Sequence, residues 1–100
     1  MAENIDDITI TFTENGVEVV KELDKVILSR GMWTTILFKY QEWDAKKNDY
    51  GPVKFSIRRY QKRGGAFSQR SKFNISSVDQ ARAIVEALQK WIGDDQSGSA

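Results

Sequence analysis

Cysteine and histidine are both absent from this chain of 100 residues. The first absence excludes disulfides and thiolate metal sites, and fits the reducing interior of a cell. The second removes the commonest general base, the imidazole metal ligands and the Ser–His nucleophile pair. Catalysis would have to rest on carboxylates and lysines, and these form no convincing pair. Asp6-Asp7 and Asp94-Asp95 fall near the ends, and Asp44 and Asp49 flank a loop. The chain is therefore read as non-enzymatic, with no cofactor and no metal. Long apolar runs are missing too. Nothing approaches the roughly 18 residues of a membrane span, and no signal-peptide pattern opens the chain. The expectation is an intracellular protein with no membrane association, in the cytoplasm or nucleoid if the source is bacterial. Proline occurs once, at Pro52, where it can open a strand but not sit inside one.

A further absence is local. From Tyr50 to Val78 there is no Asp or Glu, against seven basic residues: Lys54, Arg58, Arg59, Lys62, Arg63, Arg70 and Lys72. The overall charge of +1 conceals this. Residues 1–24 sum to −6, 25–49 to +2, 50–78 to +7 and 79–100 to −2. Charge segregated in this way gives the molecule a field with a direction, suited to steering an anionic partner.

What is present has mostly the period of strands. Ile8 to Phe12 alternates, Asn15-Gly16 is a hairpin turn signal, and Val17 to Val20 returns. Leu23 to Ser29 reads as a strand, with an uncertain join to the last because Glu22 and Asp24 disfavour strands. Trp33 to Trp43 is a long β-branched and aromatic strand. Thr34, Ile36, Phe38 and Tyr40 form its core face, and Trp33, Thr35, Leu37, Lys39, Gln41 and Trp43 an amphipathic one. Asp44 to Gly51 reads as a loop.

The next strand, Val53 to Arg63, sets Val53, Phe55 and Ile57 on an apolar face and Lys54, Ser56, Arg58, Tyr60 and Lys62 opposite. Arg59 and Arg63 prolong the apolar face beyond its cover. After Gly64-Gly65 the chain returns with Phe67, Phe73 and Ile75 on one face and Ser68, Arg70, Lys72 and Asn74 on the other, unless a bulge shifts the register. Ser77 with Gln80, or Ser76 with Asp79, then opens a helix with a capping box. Val78, Ala81, Ile84, Val85, Leu88, Trp91 and Ile92 make an apolar stripe, read first as core, and Gly93 is the expected stop. Ala83 and Ala87 widen the stripe enough for a second helix to dock.

The fold class is thus α+β: an antiparallel sheet or ribbon of four to five strands followed by one C-terminal amphipathic helix covering one face. A single domain spans 8–93, between a flexible N-terminus at 1–7 and a flexible tail at 94–100. The candidate nucleic-acid-binding residues are Lys39, Trp43, Lys54, Arg58, Tyr60, Lys62, Arg70 and Lys72, with Trp33 a further stacking candidate. Cations on a track bind phosphates by releasing counterions, and aromatic rings stack unpaired bases. The bland alternative is a solvated strand face whose lysines and arginines guard an edge. The rival function is a protein-interaction module that docks an acidic partner.

The element order resembles the single-stranded-DNA-binding transcriptional coactivator family of positive cofactor four, in particular its short bacterial members. Ile57-Arg58-Arg59-Tyr60 is similar to that family's Ile-Arg-acid-Tyr segment. Lys72 to Ser76 resembles its basic-Gly-Ile-Ser step into the helix. The likeness covers about Leu23 to Ile92. It implies a homodimer formed through the C-terminal helix and sheet. It also implies binding of single-stranded or unpaired DNA, a melted duplex included, with Arg58 and Lys72 or Arg70 on phosphates and Trp43 at the end of the preceding strand; RNA stays open as a partner, because phosphate charge looks alike to the ribbon. Gln61 stands where eukaryotic members carry tryptophan, Arg59 replaces an acid and Asn74 a glycine. The loop from Asp44 to Gly51 is also longer than the family's usual turn. On this basis the expected function is a transcriptional coactivator or regulator, or a replication or repair accessory.

Overall fold

The computed structural model describes residues 4–99, with side chains through Gly93. It is an α+β structure, a curled antiparallel sheet followed by one C-terminal helix. A 3-10 turn, Ile5–Asp7, precedes β1 (Phe12–Glu14) and β2 (Val17–Ser29). β3 is Trp33–Asp44 and β4 the short Asp49–Tyr50. β5 (Lys54–Arg63) and β6 (Ala66–Ile75) form the basic ribbon, and α1 is Val78–Ser99. The strand order is β1-β2-β3-β5-β6, with β4 paired to the end of β3. The expected loop at 44–51 therefore holds a small hairpin of its own.

Turn chemistry fixes the main hairpins. Asn15 and Gly16 have φ of 52° and 80°, and Gly64 and Gly65 have 60° and 83°. Two consecutive positive values give the tight turn whose twist matches paired strands. Glu22 and Asp24 do not break β2. Leu23 and Leu28 are instead extra residues at bulges against β3, and both are exposed. A bulge bends its strand and increases local twist, so a charged stretch is accommodated without ending the pairing.

Alternation along β3 buries Thr34, Ile36, Phe38 and Tyr40, as expected. The sides of β5 come out contrary to expectation. Pairing of Phe38 with Ser56, Ile36 with Arg58 and Thr34 with Tyr60 puts those β5 residues on the buried side. Phe55 and Ile57 face the other way, because they pair with Lys39 and Leu37. Register is set by the neighbouring strand, and here it overrides the apolar pattern of β5 itself.

The cover is also not the one expected. The N-terminal segment crosses this face, burying Ile8 and Ile10 against Ile36, Phe38, Tyr40, Tyr60 and Phe67. Ile8 to Thr11 is not a strand; β1 starts at Phe12. Side chains of β2 tie the segment down. The Lys25 ammonium donates to the carbonyls of Asp6 and Ile8 at 2.7 and 2.6 Å. The Glu22 carboxylate accepts from the Thr9 hydroxyl and the Ile10 amide. Of the expected loose terminus, residues 5–7 form the 3-10 turn, and Met1 to Glu3 lie outside the described residues.

The start of α1 follows the sequence. The Ser77 hydroxyl accepts from the Gln80 amide at 3.0 Å, and the Gln80 carboxamide oxygen accepts from the Ser76 amide at 3.0 Å. The helix does not cover the sheet, however; its main contact is with β6. Val78, Val85, Leu88, Trp91 and Ile92 are exposed, Trp91 at 65%. The stripe read as core is therefore surface in the single chain. Nor does Gly93 stop the helix: it has no positive φ, and α1 continues to Ser99. The expected tail at 94–100 falls on residues whose side chains lie outside the described set. The radius of gyration is 16.3 Å, against about 13 Å for a compact chain of this length. Among the described residues no helix is long and apolar enough to cross a membrane.

Two truncations test which segment covers the sheet. Ile36→Ala should lower the unfolding free energy by about 2–5 kcal/mol in urea denaturation, and Ile8→Ala by a comparable amount. An Ile8→Ala chain as stable as wild type would show that the N-terminal segment is not the cover.

Candidate nucleic-acid interface

The ribbon presents different chemistry on its two faces. On the covered face, Arg58 lies opposite Lys72 and Ser56 opposite Asn74. The fully buried Ser56 hydroxyl donates to Asn74 Oδ1 at 2.7 Å. Arg58 Nε donates to Ser56 Oγ at 3.2 Å and its Nη1 to Gln69 Oε1 at 3.1 Å. These bonds fix the direction of a half-buried guanidinium. Lys72 beside it is exposed. Two cations directly opposite each other repel and weaken the pairing; an anion lying between them would offset that cost. The sequence expectation for Arg58 and Lys72 places them together, and the structure does so.

Other candidates are placed less favourably. Lys54 donates to Glu42 at 2.7 Å. That hydrogen bond holds its pKa above the usual lysine value, against a smaller opposing effect of burial. Its charge is met within the chain. Lys62 lies over the Phe67 ring, 5.5 Å from the centroid. Tyr60 is 6% exposed beneath the N-terminal segment, so its ring has no free face for a base. Burial raises its pKa, and the neighbouring Arg58 partly counters this.

Arg70 does not share the face of Arg58. Arg59 pairs with Ser71 and Tyr60 with Gln69, which leaves Arg70 as the extra residue of a bulge. Its Nε donates instead to Gln61 Oε1 at 3.0 Å. The same shift brings Phe67 to the covered face, where it is buried, while Phe73 stays on the open one. The sequence pattern could not separate these cases, because one inserted residue inverts every later side.

Trp43 is at the far end of β3 from Trp33, ten residues away, or about 33 Å. It meets Tyr50 edge to face at 5.1 Å and 79°. Tyr50 is in turn held by its hydroxyl donating to the Glu18 carbonyl at 2.9 Å, with the Lys21 ammonium over its ring. Trp43 thus belongs to a local aromatic cluster remote from Arg58. Lys39 is exposed on the open face opposite Asp24. Trp33 is 39% exposed, and the Arg59 guanidinium sits over its ring at 4.2 Å. Arg59 was absent from the sequence-based candidate set; the cue was its position diagonal to Trp33 across the strand pair.

The open face carries one more feature. Val26, Leu37, Ile57 and Phe73 are successive cross-strand partners, so they form an apolar row across four strands. Val26 and Phe73 are each 53% exposed. On the other side, a groove of about 730 Å³ opens between the N-terminal turn and the ribbon, lined by Asp6, Asp7, Arg30, Met32, Lys62 and Phe67 among others. Its carboxylates make it a poor track for a polyanion. Among the described residues, no three acidic side chains are grouped to hold a metal ion. Comparisons with protein-family models, curated proteins and solved structures give no match.

The titration of the buried rings gives a test of the covered face. Desolvation raises the pKa of Tyr40 and Tyr60, and the Glu42 hydrogen bond raises that of Lys54. A folded pKa above the unfolded one contributes stability that is fully present below the unfolded value, about pH 10, and is lost as pH rises through the folded value. Melting temperature should therefore drop above about pH 10, and Tyr60→Phe should shallow the drop. An identical drop in the variant would mean that Tyr60 is not desolvated in the folded state.

Proposed function

We propose that this chain is a non-enzymatic, intracellular protein that binds single-stranded nucleic acid, DNA foremost, as a transcriptional regulator or a replication or repair accessory. The observation that carries this reading is the Arg58–Lys72 pair, set face to face within a ribbon whose two strands contain no acid. Phosphates are the ligands that such a pair accommodates, each one neutralised releasing counterions. The same reading keeps the chain beside the positive cofactor four family, on the strength of the residues of β5 and of the step into α1. Duplexes bind less well, since paired bases cannot offer their faces to side chains.

Assembly is part of this proposal. The open sheet face has an unpartnered apolar row, and α1 has an unpartnered apolar stripe. A second copy supplies both complements at once: in a twofold pair, a surface patch meets its own equivalent. Burying the exposed half of each large side chain contributes on the order of 1 kcal/mol.

Two measurements test these statements. Joint replacement Arg58→Ala and Lys72→Ala should weaken binding to a short oligothymidylate and flatten its salt dependence, whose log–log slope is about −0.7 per phosphate neutralised. Unchanged affinity would remove the site assignment, and absence of binding by wild type at low salt would favour an acidic protein partner. Separately, Leu88→Glu should convert a dimer to a monomer in light scattering while helical content is retained. A wild-type chain monomeric at high concentration would refute the dimer.

A further inference from the structure

The proposed function leaves a question open, since Tyr60 is buried and Trp43 is packed against Tyr50 far from Arg58. A ribbon that held phosphates alone would bind any polyanion. We infer that Trp33 and Arg59 form a nucleobase-stacking site on the open face of the sheet, rimmed by Gln61 and Arg70. This inference rests on the reading of the chain as a single-strand binder and adds where the bases go.

The geometry supports it in four ways. Trp33 keeps 39% of its surface exposed. The Arg59 guanidinium lies over its ring at 4.2 Å, and Arg59 is itself exposed. A guanidinium held on an indole has its outer side free, and unpaired bases stack on arginine planes as they do on aromatic rings. Trp33 pairs directly with Gln61, whose carboxamide oxygen accepts from Arg70. The remaining donors of Arg70 and the amide of Gln61 therefore stand where they can reach a base edge or a phosphate. Finally, Asp24 is opposite Lys39, six positions from Trp33 along β3, or about 20 Å away, so on this face of the β2–β3 pair it does not compete for the cations.

The site also fits the path of a strand. β6 is at the edge of the sheet, and its bulge residue is Arg70. A chain whose phosphates lie at Arg58 and Lys72 on one face reaches Trp33 on the other by passing around this edge, beside Arg70. The apolar row adjoins the site without including it: Arg59 is two positions beyond Ile57 on β5, about 7 Å, and Trp33 is four positions before Leu37 on β3, about 13 Å.

The test compares an oligothymidylate with an abasic strand of the same length and charge, by fluorescence anisotropy at two salt concentrations. Trp33→Ala should weaken binding of the base-bearing strand about five- to a hundredfold, the loss of one stacked base. It should leave affinity for the abasic strand and the salt slope unchanged. Arg59→Lys, at an exposed position that keeps its charge, should also lose base-dependent affinity with the salt slope retained, so the result does not hang on the folding of the tryptophan variant. Wild-type affinity in both variants, or an equal loss on both strands, overturns the stacking site while leaving the phosphate track standing. A wild-type protein that binds neither strand overturns the single-strand reading itself, and this site with it.

Discussion

The structure depends on how one face of the sheet is covered. A sheet of this size must bury at least one side to fold, and two isoleucines of the N-terminal segment, Ile8 and Ile10, supply that burial over Ile36, Phe38, Tyr40, Tyr60 and Phe67. Lys25 and Glu22 of β2 pin the segment through its backbone and Thr9. Of these, the bonds of the Ile10 amide and the Ile8 carbonyl are part-buried and satisfy backbone groups at the edge of the core. Because this cover exists, the helix is not needed to close the core, and it projects from β6 with its apolar stripe outward.

That arrangement sets three kinds of surface on one small scaffold. The covered face holds the core at its centre and, toward β6, the network of Ser56, Asn74, Gln69 and Arg58. The open face carries the apolar row and, beyond it, the Trp33–Arg59 stack. The helix root at Ser76 and Ser77 joins the ribbon directly to the stripe, with no linker. The cation pair lies on β5 and β6, the aromatic–guanidinium pair on β3 and β5, and the apolar row runs across β2, β3, β5 and β6, so β5 contributes to all three. The bulge at Arg70 hands an arginine from one face to the other at the exposed edge.

Much of the fold was legible in the residues. Asn15-Gly16 and Gly64-Gly65 demanded positive φ and gave tight hairpins. Ser77 with Gln80 started the helix, and alternation in β3 named its core face. The sides of β5 were misread because Phe55 and Ile57 are apolar yet face outward, while Ser56 and Arg58 face inward. Hydrophobicity identifies a buried side only when the chain itself buries that side, and here the side carrying Phe55 and Ile57 is the open one. The helix was misread for the same reason: an apolar stripe does not show that the sheet of its own chain covers it, and here the stripe is exposed. Among the candidate residues, Arg58 and Lys72 share a face as expected and Tyr60 is in the core, while Arg59, which was not a candidate, lies over the Trp33 ring.

The sequence by itself determined the charge map, the strand and helix periods, the turns and the lack of histidine and cysteine chemistry. These follow from local sterics and from residue type, which do not depend on distant neighbours. Only the tertiary structure decided which face of each ribbon strand is inward, which segment covers the sheet, and which aromatic remains open beside an arginine. The faces of β5 depend on its register against β3, and those of β6 on one inserted residue at Arg70, where a shift of a single position exchanges the faces of a strand; the cover depends on contacts between residues distant in the chain. Side alternation is local, but its phase is set by the neighbouring strand.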